Sequence, residues 1–123
     1  MFMEFENISI GVDIEEISRF EGKERGKDAN FLARIFTEKE LDYCYKNKNY
    51  ASHLCGKYCA KEAAVKALTN FNINNVYYGD IEILNKDNGI PFVNLPKYPD
   101  IKFKVSVSHS KLYATATVLA LKD

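Results

Sequence analysis

The segment AKEAAVKAL, residues 60–68, sets Lys61, Glu62 and Lys66 into a run of alanines and aliphatics. Ala, Leu, Lys and Glu are strong helix formers, so the segment reads as helix. Upstream, Leu54 and Tyr58 join Val65 and Leu68 near one stripe, and Cys55, Cys59, Ala63 and Ala67 form a second at steps of four. The spacing predicts one long helix from about residue 50 to residue 68, apolar on much of its circumference and therefore central. Glu62 and Lys66 share a face, with Tyr58 one turn earlier. Lys61 points about 100° away from Glu62. As an exposed pair, Glu62 and Lys66 would add only about 0.2–0.5 kcal/mol.

On either side of this helix the period changes. In ISIGVDI, residues 8–14, Ile8, Ile10, Val12 and Ile14 alternate with Ser9, Gly11 and Asp13. This is the period of a strand with one apolar face, which puts Asp13 on the other face. A short polar helix is expected over about 15–21, and another begins in RGKDANFLARIF with Asp28 or Asn30 as its cap. Thr37 followed by Glu40 is a capping-box pattern. Beyond the long helix, DIEIL and IPFVNL flank Asn88-Gly89, which predicts a hairpin with a type I′ turn. IKFKVSVSH and LYATATVLAL both alternate, and only Ser110 and Lys111 separate them, so they should pair antiparallel. One strand, several helices and then a meander define an α+β fold with helices against an antiparallel sheet.

The 123 residues carry 17 basic and 17 acidic side chains. That length points to one domain, residues 1–123. A formal charge of zero gives no global field for nucleic acid or an anionic membrane. No apolar run approaches the ~20 residues a spanning helix needs. The acidic start MFMEFENISIGVDIEE does not read as a signal peptide. A cytoplasmic protein is expected, in keeping with an odd number of cysteines. Cys55, Cys59, His53 and Cys44 lack the spacing of a zinc site and read as small buried hydrophobes.

Three segments carry possible chemistry. Asp13 and Glu62 are two carboxylates on a strand and a central helix, a donor set suited to Mg²⁺, which prefers few carboxylates alongside water and phosphate oxygens. Lys61 and Lys66 flank Glu62 with positive charge. Ser108, His109 and Ser110 offer donors at a strand end. Together these are the parts of a phosphoryl-type transfer, in which positioning and charge neutralisation carry most of the catalysis.

These segments resemble a known family. IGVDIEEISRF, then GKYCAKEAAVKAL, then VSVSHSKLYATATV are similar to the short class of 4′-phosphopantetheinyl transferases, the holo-[acyl-carrier-protein] synthase family. The family pattern Gly-x-Asp-(Ile/Leu) with a following Arg falls on Gly11, Asp13, Ile14 and Arg19. Its aromatic-x-x-Lys-Glu-(Ala/Ser)-x-x-Lys helix falls on Tyr58, Lys61, Glu62, Ala63 and Lys66. Its Ser-(Ile/Val)-(Ser/Thr)-His strand falls on Ser106, Val107, Ser108 and His109. The chain departs from the pattern in having Tyr58 for Phe and Lys57 for Arg, and TNFNINNVYYGD lacks the usual Gly-rich loop.

The resemblance implies the phosphopantetheinyl transferase fold, an antiparallel sheet around a long central helix. It implies transfer of 4′-phosphopantetheine from coenzyme A to a serine of acyl carrier protein, in support of fatty acid biosynthesis. Mg²⁺ would be held by Asp13 and Glu62, and Glu62, or a water it orients, would take the serine proton. Lys66 would sit on the diphosphate. Tyr58, Lys61, Ser108 and His109 would help bind coenzyme A. Arg19, Lys23 and Arg25 would dock the acidic carrier, and homotrimers would place sites at subunit interfaces. Two other readings stay open on the residues alone: a non-catalytic coenzyme A or carrier-binding module, and a Mg²⁺-dependent phosphoesterase. Two metal carboxylates argue against the first, since binding alone does not need them.

Overall fold

The structure, a computed structural model, describes residues 5–123. Strand β1 spans Ile8–Glu16 and runs into a 3₁₀ turn, Ile17–Phe20. Helices α1 (Ala29–Ala33), α2 (Glu38–Tyr45) and α3 (Tyr50–Thr69) follow. A second 3₁₀ turn, Tyr78–Asp80, leads into the hairpin β2 (Glu82–Asn85) and β3 (Pro91–Asn94). Strands β4 (Ile101–His109) and β5 (Tyr113–Lys122) close the chain. One sheet has the antiparallel order β1-β5-β4, and β2-β3 forms a separate two-stranded sheet. The expected α+β architecture is therefore present, with α3 as the expected central helix.

The seam between helix and sheet is built from small residues. Ser9 and Gly11 of β1 and Ala114, Ala116 and Ala120 of β5 are buried with Cys55, Cys59, Ala60, Ala63 and Ala67 of α3. A Cβ on Gly11 would lie 1.9 Å from the Ala63 carbonyl oxygen, so only glycine lets the helix come this close. Ser9 Oγ donates to the Ala67 carbonyl at 2.7 Å, and the Cys59 thiol donates to the Ala114 carbonyl at 3.3 Å. A side chain of each layer thereby donates to a backbone carbonyl of the other across the seam.

The close seam reverses the usual orientation of a strand's apolar and polar faces. Asp13 does lie on the opposite face from Ile8, Ile10, Val12 and Ile14. Yet it is the polar, small-residue face that packs on α3, and the four aliphatics, 41–64% exposed, point away from the core. Helix approach decides this, because branched side chains would hold α3 off. Registers Ile8↔Leu121 and Ile10↔Leu119 extend the outward apolar face onto β5, where both leucines are also exposed. Leu112, which the alternation groups with the alanines of β5, is exposed just before that strand.

Two local expectations resolve differently. The capping box of α2 forms: Glu40 N–H donates to Thr37 Oγ1, and Thr37 N–H donates to Glu40 Oε1 at 2.8 Å. The β2–β3 hairpin also forms, but not through a type I′ turn. Gly89 alone has positive φ (89°) there, and Asn88 does not. Gly89 N–H donates to the Lys86 carbonyl at 2.8 Å, and Lys86 N–H to the Ile90 carbonyl at 2.9 Å. Such a three-residue loop needs one left-handed residue rather than two. The polar helix expected over 15–21 is instead the tail of β1 followed by the 3₁₀ turn, whose Ile17 and Phe20 are buried.

Candidate active site

At 3.6 residues per turn, positions nine apart lie on opposite sides of a helix. Glu62 and Lys66 therefore occupy one flank of α3, and His53 and Lys57 occupy the other. The two flanks gather different chemistry.

On the first flank, the inward face of β1 brings Asp13 to the helix. Lys66 Nζ donates to the Val12 carbonyl at 2.9 Å and stands 3.4 Å from Asp13 Oδ1. Asp13 Oδ2 is buried with no hydrogen-bond partner. Glu15, two residues along the same face, has its carboxyl pushed up, first by burial and then by the neighbouring Asp13 carboxylate, with a further contribution from Glu62. Glu62 Oε1 accepts from the Tyr78 hydroxyl. Burial and then this hydrogen bond push the Tyr78 phenol up, so it stays protonated. A cleft of about 310 Å³, lined by Arg34, Glu62, Val65, Val76, Tyr77 and Tyr78, opens beside the carboxylate. Tyr58 is buried here, and the Arg19 guanidinium lies 4.8 Å above its ring and 3.4 Å from Glu15.

On the second flank, His53, Lys57 and His109 line a smaller cleft with Tyr43 and Asn85. Burial lowers the His53 pKa, and the charges of His109 and Lys57 lower it further. Lys57 Nζ donates to Asn85 Oδ1 at 2.6 Å and to the Ile83 carbonyl.

The expected residues thus divide. Asp13, Glu62 and Lys66 come together, with Tyr58 and Arg19 beside them. His109 stands across α3 from them. Ser108 points to the opposite, outward face of the sheet, beside Thr115 in register. Lys61, expected at the phosphates, is wholly buried instead. Its ammonium pairs with Glu40 at 2.8 Å and donates to the Tyr78 and Ile81 carbonyls at 2.7 and 2.6 Å. An ammonium has three protons, and these three acceptors take them all. Lys23 lies over the Phe31 ring, and Arg25 is committed to Glu38 and Asp42. Sequence reasoning missed Glu15 and Tyr78, and it gave Glu40 only its capping role, not its pairing with Lys61. Glu15 was within reach, since the alternation of β1 continues two residues past Ile14.

This fold with this flank defines a class. The pattern of the 4′-phosphopantetheinyl transferase superfamily matches residues 9–118, and the chain belongs to that family. Its relatives include the holo-[acyl-carrier-protein] synthase of Protochlamydia amoebophila, 40% identical over 114 aligned positions, with 89% of this chain and 93% of that protein covered. Among solved structures, the Bacillus anthracis holo-(acyl-carrier-protein) synthase in complex with CoA (3′,5′-ADP) superposes with a TM-score of 0.78 at 32% identity, covering 94% of this chain and 96% of that one. The Helicobacter pylori holo-[acyl-carrier-protein] synthase in complex with coenzyme A gives 0.76 at 30% identity, covering 90% and 98%.

Proposed function

We propose that this chain transfers the 4′-phosphopantetheine group of coenzyme A to a serine of an apo acyl carrier protein. The observation that carries this reading is the meeting of Asp13, Glu62 and Lys66 on one flank of α3 in a chain of this family. In the transfer, the serine oxygen bonds to the phosphorus that carries pantetheine. The bond from that phosphorus to the nucleotide's bridging oxygen breaks, and adenosine 3′,5′-bisphosphate leaves. Lys66 is more than half exposed and can turn from Asp13 to the diphosphate, where it would offset charge on the leaving group. Glu62, or a water it orients, would accept the serine proton.

The donor set fits a small divalent cation. Asp13 Oδ2 is a buried oxygen without a partner, and Glu62 has one oxygen outside its bond to Tyr78. Mg²⁺ prefers few protein carboxylates alongside water and phosphate oxygens, and this flank offers two. Asp13 and Glu62 would hold it, and when bound it would neutralise charge on the diphosphate. An incubation with coenzyme A and Mg²⁺, with and without apo carrier, tests the reading by chromatography. Adenosine 3′,5′-bisphosphate should appear only with the carrier. Release without the carrier would mark a phosphoesterase.

The working unit in this reading is a homotrimer with sites between subunits. Two observations support it. The His109 flank is on the far side of α3 from the carboxylates, so it is free to serve a neighbouring copy. The outward aliphatics of β1 and β5 form an exposed apolar face of the kind that marks association. Ile10→Lys with Leu119→Lys, a directly paired couple, is expected to reduce the sedimenting mass to one chain and abolish turnover while far-UV circular dichroism stays unchanged. An unaltered mass would refute the assignment of this face.

Carrier docking is assigned to Arg19 and Lys23. Arg25 is engaged by its own two carboxylates and serves mainly to tie its loop to α2. Arg19→Glu should raise the carrier KM about tenfold or more at low salt, and less at high salt where exposed charges are screened. An unchanged carrier KM would remove Arg19 from the docking surface. The product feeds fatty acid biosynthesis, and the reaction is assigned to the cytoplasm.

A further inference from the structure

We propose that Tyr78 is a positioning residue for Glu62, and that the buried Lys61–Glu40 pair fixes Tyr78 in place. This rests on the transferase reading of the Glu62 flank. The network begins at Glu40, whose side chain is wholly buried. One oxygen caps α2 at Thr37 N–H and pairs with Lys61. The other accepts from Ile83 N–H at 2.7 Å. Lys61 passes the constraint on by donating to the carbonyls of Tyr78 and Ile81. Tyr77 N–H donates to Asp80 Oδ2, and Asp80 N–H donates to the Tyr77 carbonyl, both at 2.9 Å, which closes the 3₁₀ turn around Tyr78. The Tyr78 ring meets Tyr58 edge-on at 5.8 Å. Backbone and ring are thus both held, and the hydroxyl falls on Glu62 Oε1.

A phenol is a neutral donor that stays protonated at neutral pH. It fixes one carboxylate oxygen without cancelling the charge, and leaves the other oxygen for a cation or for the serine proton. Without it, Glu62 has a competing partner one turn away in Lys66, at the i,i+4 spacing of a helical ion pair. Forming that pair would withdraw both groups from the site. The buried Lys61–Glu40 pair gains a purpose in this account. Buried pairs are weak sources of stability, but they fix geometry.

Tyr78→Phe keeps the ring and its packing and removes only the hydroxyl. In the full-length protein it is expected to lower kcat by roughly 10–100-fold, the usual cost of losing a partner that orients a ligand-holding side chain. The coenzyme A KM should stay within about twofold, and the melting temperature should move little. Binding of Mn²⁺ alone, followed by electron paramagnetic resonance, should weaken by about tenfold or more. A variant with wild-type kcat and Mn²⁺ affinity overturns the proposal, as does one that loses only thermal stability. If the wild-type protein itself transfers nothing, the transferase reading fails. The Mn²⁺ comparison then still reports whether Tyr78 positions Glu62.

Discussion

Replacing Asp13 with Ala is expected to lower turnover by at least about 100-fold while raising the melting temperature by a few degrees in metal-free buffer. The two effects have one cause. Asp13 Oδ2 is buried without a hydrogen-bond partner, and the Glu15 and Glu62 carboxylates crowd the same flank. Lys66 faces only the other oxygen of Asp13, and a buried oxygen left without a partner costs stability, on the order of 1–3 kcal/mol. Its retention makes sense if a cation supplies what the protein withholds. Removing the carboxylate relieves the cost and removes the reason for it, the pattern of an active site that trades stability for function. Mg²⁺ should therefore raise the melting temperature of the wild-type protein, by the equivalent of about 2.7 kcal/mol at a hundred times its dissociation constant. It should leave Asp13→Ala unmoved. Glu62→Gln keeps an acceptor for the Tyr78 hydroxyl, so it should fold normally and lose activity to a similar degree. Near-normal turnover in either variant would contradict the metal assignment.

Lys66→Met is expected to reduce kcat by roughly 10²–10³-fold, or about 3–4 kcal/mol of barrier. A purely helical role predicts something quite different. Lys66 is largely exposed, and its contacts are the Val12 carbonyl and Asp13. Methionine keeps the unbranched stem and the helix propensity, so on that account stability would fall by well under about 1 kcal/mol and activity would hold. Saturating coenzyme A and carrier separate the two, because an interaction made only in the transition state appears in kcat. Retention of at least half the wild-type kcat would leave Lys66 as a helix-surface residue.

Much of the fold was legible because period and punctuation are local. The alternation of β4 and β5, the capping box at Thr37 and Glu40, and the turn at Gly89 each depend on a few neighbouring residues. The inverted face of β1 was not legible. Alternation gives two faces, and the usual preference buries the aliphatic one. Here Gly11 and Ser9 admit α3 so closely that the small face wins, a choice visible only when helix and strand are placed together.

The site divides in the same way. Glu62 and Lys66 were legible as one face from their i,i+4 spacing, whereas Asp13 joined them only through the family resemblance, since spacing alone does not show that strand and helix meet. Lys61 beside Glu62 was assigned the same cleft, yet the 100° step between adjacent helix positions turns it into the core, where Glu40 waits. The buried partner comes from α2, and the Tyr78 hydroxyl from a turn sixteen residues beyond Glu62. No local pattern announces either contact.

Movement of phosphopantetheine from coenzyme A to a carrier serine leaves a mass signature on the carrier. The most direct test is the intact mass of an apo acyl carrier protein after incubation with this protein, coenzyme A and Mg²⁺. A carrier whose acceptor serine is replaced by alanine serves as the control. The unmodified carrier should gain the mass of one phosphopantetheine group on that serine, the control should gain none, and one adenosine 3′,5′-bisphosphate should appear per carrier modified. A carrier of unchanged mass, with coenzyme A either intact or hydrolysed, would contradict the transfer.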